Sequence, residues 1–163
     1  MSQFCIYIYL EDYIADWFIH LHGGNNPVKL IRNSVESKIL EGFIEKRPVD
    51  ELPDNDKEGK VAIQIPTFRN RPPDTYNYLP QHAKIHLINT IKHNFDVQLW
   101  WDLHRFGHIN KEQKDLVIAW MKKNGIRDGN SSWDTIVKRY QRQRKVYLTK
   151  ERVKKHRNRK KSS

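Results

Sequence analysis

Apolar positions in the first half of this chain alternate between short β-like runs and helical stripes, whereas the second half keeps a helical period throughout. Residues 4–10, FCIYIYL, are β-branched and aromatic with apolar side chains on both faces, which predicts a buried strand. Glu11 and Asp12 then open a helix whose apolar face is Tyr13, Ile14, Trp17, Phe18 and Leu21, and Gly23-Gly24 stops it. An Asn-Asn-Pro turn precedes a short apolar piece at 28–31. Asn33 with Glu36 three residues on forms an N-cap arrangement for a helix striped by Val35, Ile39, Leu40, Phe43 and Ile44, ended by Pro48. Residues 48–60 are an acidic loop containing Pro and Gly. VAIQI at 61–65 is a strand closed by Pro66, and 67–79 is an irregular, proline-bearing connection.

From Pro80 the reading is helical. One helix runs to about Phe95. Asp96 caps the next, with Val97, Leu99, Trp100, Leu103 and Phe106 apolar and Gly107 as its stop. Asn110 and Gln113 form a second capping pair before a helix with Leu116, Val117, Trp120 and Met121 on one side. Gly125 followed by Ile126 has the form of a glycine C-cap, and Ser131 with Asp134 starts the last helix. The pattern predicts an α+β, helix-rich fold. Its N-terminal half is small and mixed with about three short strands, and its C-terminal half carries a trihelical, helix-turn-helix-like unit and a basic tail. The corresponding divisions are 1–78 for a mixed module suited to pairing or partner binding, 79–148 for a helical DNA-binding module, and 149–163 for the tail.

Composition supports a folded chain. Of 163 residues 37% are hydrophobic, including five Trp, seven Tyr and six Phe, enough for a core. No segment approaches the roughly 20 apolar residues of a membrane-spanning helix, and the first residues lack the basic region and cleavage site of a secretory signal. Cys5 is the one cysteine, so neither an internal disulfide nor a zinc-finger cluster is available, and a cytoplasmic protein, on a nucleoid or in a nucleus, is expected.

Charge changes the picture more than composition does. Of the net +11, the last 26 residues hold 13 Lys/Arg and one acid, Glu151, while residues 1–137 hold 17 Lys/Arg and 18 Asp/Glu. A dense basic block binds polyanions through counterion release. An anionic membrane is a poor rival, because the block has few large apolar residues to insert. On residues 132–147, SWDTIVKRYQRQRKVY, a helical projection puts Trp133, Ile136, Val137 and Tyr140 on one stripe. Thr135, Lys138, Arg139, Arg142 and Lys145 lie broadly opposite. An anchored stripe with a cationic outer face has the form of a recognition helix, in which Arg can read guanine and Gln141 or Gln143 adenine. Lys150, Arg152, Lys154, Lys155, Arg157 and Arg159 would extend it along phosphates.

Residues 111–140, KEQKDLVIAWMKKNGIRDGNSSWDTIVKRY, are loosely similar to the first two helices of Myb/SANT-type domains. LTKERVKKHRNRKK is similar to the third helix of such domains or of a homeodomain. The resemblance implies a separate third helix and a reading surface at about 149–161.

Catalytic signals are weaker. His82, His86 and His93 share a helix face, but no Glu follows His82 as a zinc protease needs, and the stripe lies opposite Leu87, Ile88 and Ile91, towards solvent. His20 and His22 flank Leu21 at a helix end, which favours His⁺ without further purpose. The acidic loop offers Asp54, Asp56, Glu58 and Lys60 to a metal-dependent nuclease. Four polar residues in one loop are more often a turn. Trp100 and Trp101 in LWWDLHRF could stack bases, although their helical spacing favours core, with at most one exposed. There is no Gly-rich phosphate loop or nucleophile elbow, and Cys5 reads as a small buried hydrophobe. The sequence therefore points to a non-enzymatic duplex-DNA binder without cofactor, with a homodimer and a role in transcriptional regulation as candidate properties. A structured-RNA binder is the first alternative and the nuclease the second.

Overall fold

The computed structural model describes residues 4–54, 60–129 and 132–161. These form two compact units. The first comprises residues up to Asn94 together with Asn124–Ile126, and the second Phe95–Lys123 with the residues from Arg127 onwards. The chain is α+β and helix-rich, with five α-helices and five short strands among the described residues.

In the first unit, strands β1 (Cys5–Tyr9), β2 (Val28–Lys29) and β4 (Lys60–Gln64) make a sheet in the order β1-β4-β2. β1 and β4 run antiparallel with Ile6 opposite Ile63, and β2 joins β4 in parallel. β3 (Glu45–Lys46) and β5 (Tyr76–Tyr78) form a separate two-stranded pairing that the sequence pattern does not predict, being short and largely polar. β1 departs from the expected strand with two apolar faces. Ile6 and Ile8 are buried while Tyr9 is exposed, so the strand has one core side.

Helix α1 (Asp12–Leu21) buries Ile14, Trp17 and Phe18, while Tyr13 is half-buried and Leu21 exposed. Helix α2 (Val35–Phe43) is capped by Ser34, whose hydroxyl accepts from the Ser37 N–H at 3.1 Å. Asn33, expected as the cap, stands one residue earlier in a left-handed conformation with φ 64°. Val35 and Phe43, expected on the buried stripe, are exposed, and Glu36 is buried and accepts from Asn94 Nδ2 at 2.9 Å. Gly125 is needed where it stands. It has φ 70°, and a Cβ there would meet the His20 ring at 2.5 Å.

The largest departure is helix α3 (Gln81–Leu103), one continuous helix of 23 residues where two were predicted. No Pro or Gly interrupts it. Its buried positions, Ala83, Leu87, Ile91, Phe95, Leu99 and Leu103, fall every fourth residue. In a helix of 3.6 residues per turn, a four-residue repeat drifts by roughly 40° per step. A drifting stripe has no one apolar face over its length, which is why the pattern reads as two helices. The division between the two compact units falls within α3, after Asn94.

In the second unit, a 3-10 turn at His104–Phe106 follows α3, and another at Lys111–Gln113 leads into α4 (Lys114–Lys123). The Asn110–Gln113 capping box is present. Asn110 Oδ1 accepts from the Glu112 N–H at 3.1 Å, and Gln113 Oε1 from the Asn110 N–H at 3.2 Å. The last helix, α5, runs from Ser132 to Lys161 without a break. Its expected cap, Ser131, lies outside the described residues.

Candidate nucleic-acid interface

The buried anchor of α5 lies in its first half. Ile136, Val137 and Tyr140 are its buried residues, and α5 packs on α4, whose own buried residues are Val117, Trp120 and Met121. The Tyr140 hydroxyl donates to Gly107 O at 2.6 Å and lies 3.3 Å from Leu103 O, and burial raises its pKa. Trp100 stacks on Tyr140 at 5.8 Å between centroids and meets the Tyr147 ring at a 44° tilt at 5.1 Å, bracing two turns of α5 with one ring. Gln141 Nε2 donates to Ile109 O at 2.7 Å. Trp133, expected on the buried stripe, is half-buried with Lys114 Nζ 4.9 Å from its ring centroid.

The expected cationic outer face is not uniform. The Arg139 guanidinium grips Asp96 of α3 with two bonds, Nε to Oδ1 and Nη2 to Oδ2, the second at 3.1 Å. Arg139 is thereby an internal strut and not an exposed reader. Asp96, read in the sequence as a helix cap, lies within α3 and makes this pair from mid-helix. Lys138 pairs with Asp134 one turn back at 2.6 Å, with both side chains well exposed. Such a pair contributes only a few tenths of a kcal/mol and yields readily to a phosphate. Thr135, Arg142 and Lys145 are exposed. Gln141 is engaged as described and Gln143 is half-buried, so neither amide presents itself to an adenine edge.

Beyond Tyr147 the helix has no buried position. Of residues 148–161 all are exposed except the half-buried Glu151, including Lys150, Arg152, Lys154, Lys155, Arg157 and Arg159. These 14 residues hold eight Lys/Arg against that one acid and extend for about 21 Å. Because α5 is continuous, the separate third helix implied by the Myb/SANT and homeodomain resemblance does not exist. The residues that would have formed its turn are helical. Where the braced half meets the exposed half, His108, Arg144, Lys145, Leu148 and Arg152 line a shallow groove of about 320 Å³. The helical projection misses Arg144, which sits one turn beyond Tyr140 on the side expected to pack inward. The dense run of cations around it is the signal that could have found it.

The other candidate chemistry resolves locally. His82 and His86 both meet the Phe43 ring edge-on, at 5.8 and 6.1 Å. Among the described residues no group of three or more His, Cys, Asp or Glu is placed to hold a metal ion. Asp54 is tied to Lys84 Nζ at 2.5 Å and lies 3.4 Å from the Tyr7 N–H. Asp56 and Glu58 fall outside the described residues. His22 is buried, and its Nδ1 accepts from the Ile31 N–H at 3.0 Å. Cys5 is half-buried, and burial raises its thiol pKa, which disfavours the thiolate. Among the described residues no helix is long and apolar enough to cross a membrane.

The chain matches no protein family, no curated protein and no solved structure.

Proposed function

We propose that this protein binds duplex nucleic acid, DNA in preference to RNA, by laying the outer half of α5 along the duplex. The observation that carries this reading is the continuity of α5. A helix braced by Ile136, Val137 and Tyr140 projects most of its cations, on residues 148–161, into solvent in a folded form. Duplex DNA presents one negative charge per about 1.7 Å of axis, so a cationic helix of this length faces many phosphates at once. A helix with side chains, about 10–12 Å across, fits the roughly 12 Å major groove of B-form DNA, whereas the major groove of A-form RNA is deep and narrow. Arg142 and Lys145, with Arg144 and Arg152 in the adjoining groove, supply positioning contacts nearer the core. Arg139 is not part of this surface.

The test is a competition between duplex DNA, duplex RNA and single strands for the full chain at matched ionic strength, read by fluorescence anisotropy. Duplex DNA should win. The combined variant Lys154→Gln, Lys155→Gln and Arg157→Gln should weaken its binding by about ten-fold or more. Unchanged affinity in that variant would remove α5 from the interface.

A further inference from the structure

The second unit also contains a feature that a phosphate-binding helix does not require. Trp101, next to the bracing Trp100 on α3, is 70% exposed. Exposing so large an apolar ring forfeits hydrophobic stabilisation, and Trp is mostly buried in folded chains. The ring lines a cleft of about 410 Å³ between the end of α3 and α4, shared with Asp102, Arg105, Phe106, Trp120 and Lys123.

The chemistry of this cleft is specific. Trp101 and Phe106 supply exposed aromatic faces, and the Arg105 guanidinium lies 4.9 Å from the Phe106 centroid. His104 meets Trp101 edge-on at 6.2 Å, which limits the ring's freedom. Trp120 Nε1 donates to Asp102 Oδ2 at 2.8 Å and so orients that carboxylate. A carboxylate accepts more than one hydrogen bond, and both the amino groups of cytosine, adenine and guanine and the ring N–H of thymine and uracil are donors. Arg105 and Lys123, both exposed, bring positive charge to a cleft otherwise lined by aromatic and aliphatic side chains and Asp102.

We propose that this cleft holds an unpaired nucleobase, stacked on Trp101, with Arg105 and Lys123 on the flanking phosphates. Aromatic faces take any base, while the cations select a polyanionic strand over an uncharged aromatic ligand. The inference rests on the reading of α5 as a nucleic-acid surface and refines it. The preferred ligand becomes a duplex with an adjoining single-stranded segment.

Three probes test it with the full chain by fluorescence anisotropy: a blunt DNA hairpin, the same hairpin with an oligo-dT tail, and the same hairpin with an oligo-rU tail. Both tails should raise affinity by about ten-fold, since stacking supplies the gain and either strand can provide it. Trp101→Ala should abolish the gain and leave the blunt hairpin unaffected, and Trp101→Phe should retain most of it. A gain that survives Trp101→Ala overturns the proposal, as does an equal loss on blunt and tailed probes. Binding of isolated oligo-dT that depends on Trp101, without binding of the blunt hairpin, would keep the cleft and remove the α5 reading. Loss of blunt-hairpin binding in the α5 variant alone would separate the two surfaces in the opposite sense.

Discussion

The two halves of α5 are both cationic and have different physics. Residues 132–147 and 148–161 are both rich in Lys and Arg, and both are helical. In the first half Ile136, Val137 and Tyr140 anchor the helix, Arg139 is engaged by Asp96 and Lys138 by Asp134. In the second half no residue is buried, and the helix extends by propagation from an anchored nucleus, avoiding the costly first turn that limits isolated short helices. The comparison shows that a cation's role depends on which acid the fold brings within reach.

The contrast breaks most readily at the anchor. Ile136→Ala should destabilise the second unit by about 2–5 kcal/mol in urea unfolding, the range for emptying a buried aliphatic site. Val153→Ala, at a site 51% exposed, should change stability by less than about 0.5 kcal/mol. Comparable losses would mean that the outer half is packed in solution.

The next effect is electrostatic. Replacing Lys150, Arg152, Lys154, Lys155, Arg157 and Arg159 with Gln should lower duplex affinity by about a hundred-fold at moderate salt. The slope of log affinity against log salt should flatten, by about 0.9 for each phosphate no longer neutralised. An unchanged slope would assign the counterion release to the inner half.

Smaller again is the Arg139–Asp96 pair. Arg139→Gln should cost about 1 kcal/mol of stability, a figure kept low because both partners are partly exposed, and should change duplex affinity less than about two-fold. A ten-fold loss of affinity at unchanged stability would return Arg139 to the interface.

The smallest effect concerns the first unit. Burial lowers the His22 pKa, opposed in part by Glu36. Its contribution is therefore fully present above the unfolded value of about 6.5 and declines as pH falls below it, because the unfolded chain then binds the extra proton. Thermal midpoints should drop between about pH 7 and pH 5, and His22→Gln should reduce that drop. Identical pH profiles for the two proteins would exclude His22 as a contributor.

Much of the fold was legible in the sequence. The runs at Ile6 and Val61 are strands, the Asn110–Gln113 box is present, and Ile136, Val137 and Tyr140 are the buried stripe of α5. What misled was local chemistry with two meanings. Asp96 can cap a helix or pair across to another. Asn33 and Ser34 are both capping residues, and only backbone geometry chose Ser34. The two-residue strand β3 is too short to show a period.

The amino-acid sequence by itself determined the lopsided charge and the amphipathic start of α5, because both depend on residue order and a 3.6-residue period. Three things needed the tertiary structure: the continuity of α3, the engagement of Arg139 and the exposure of Trp101. Each depends on which side chains meet across long stretches of chain, and neither a local period nor a charge count carries that information.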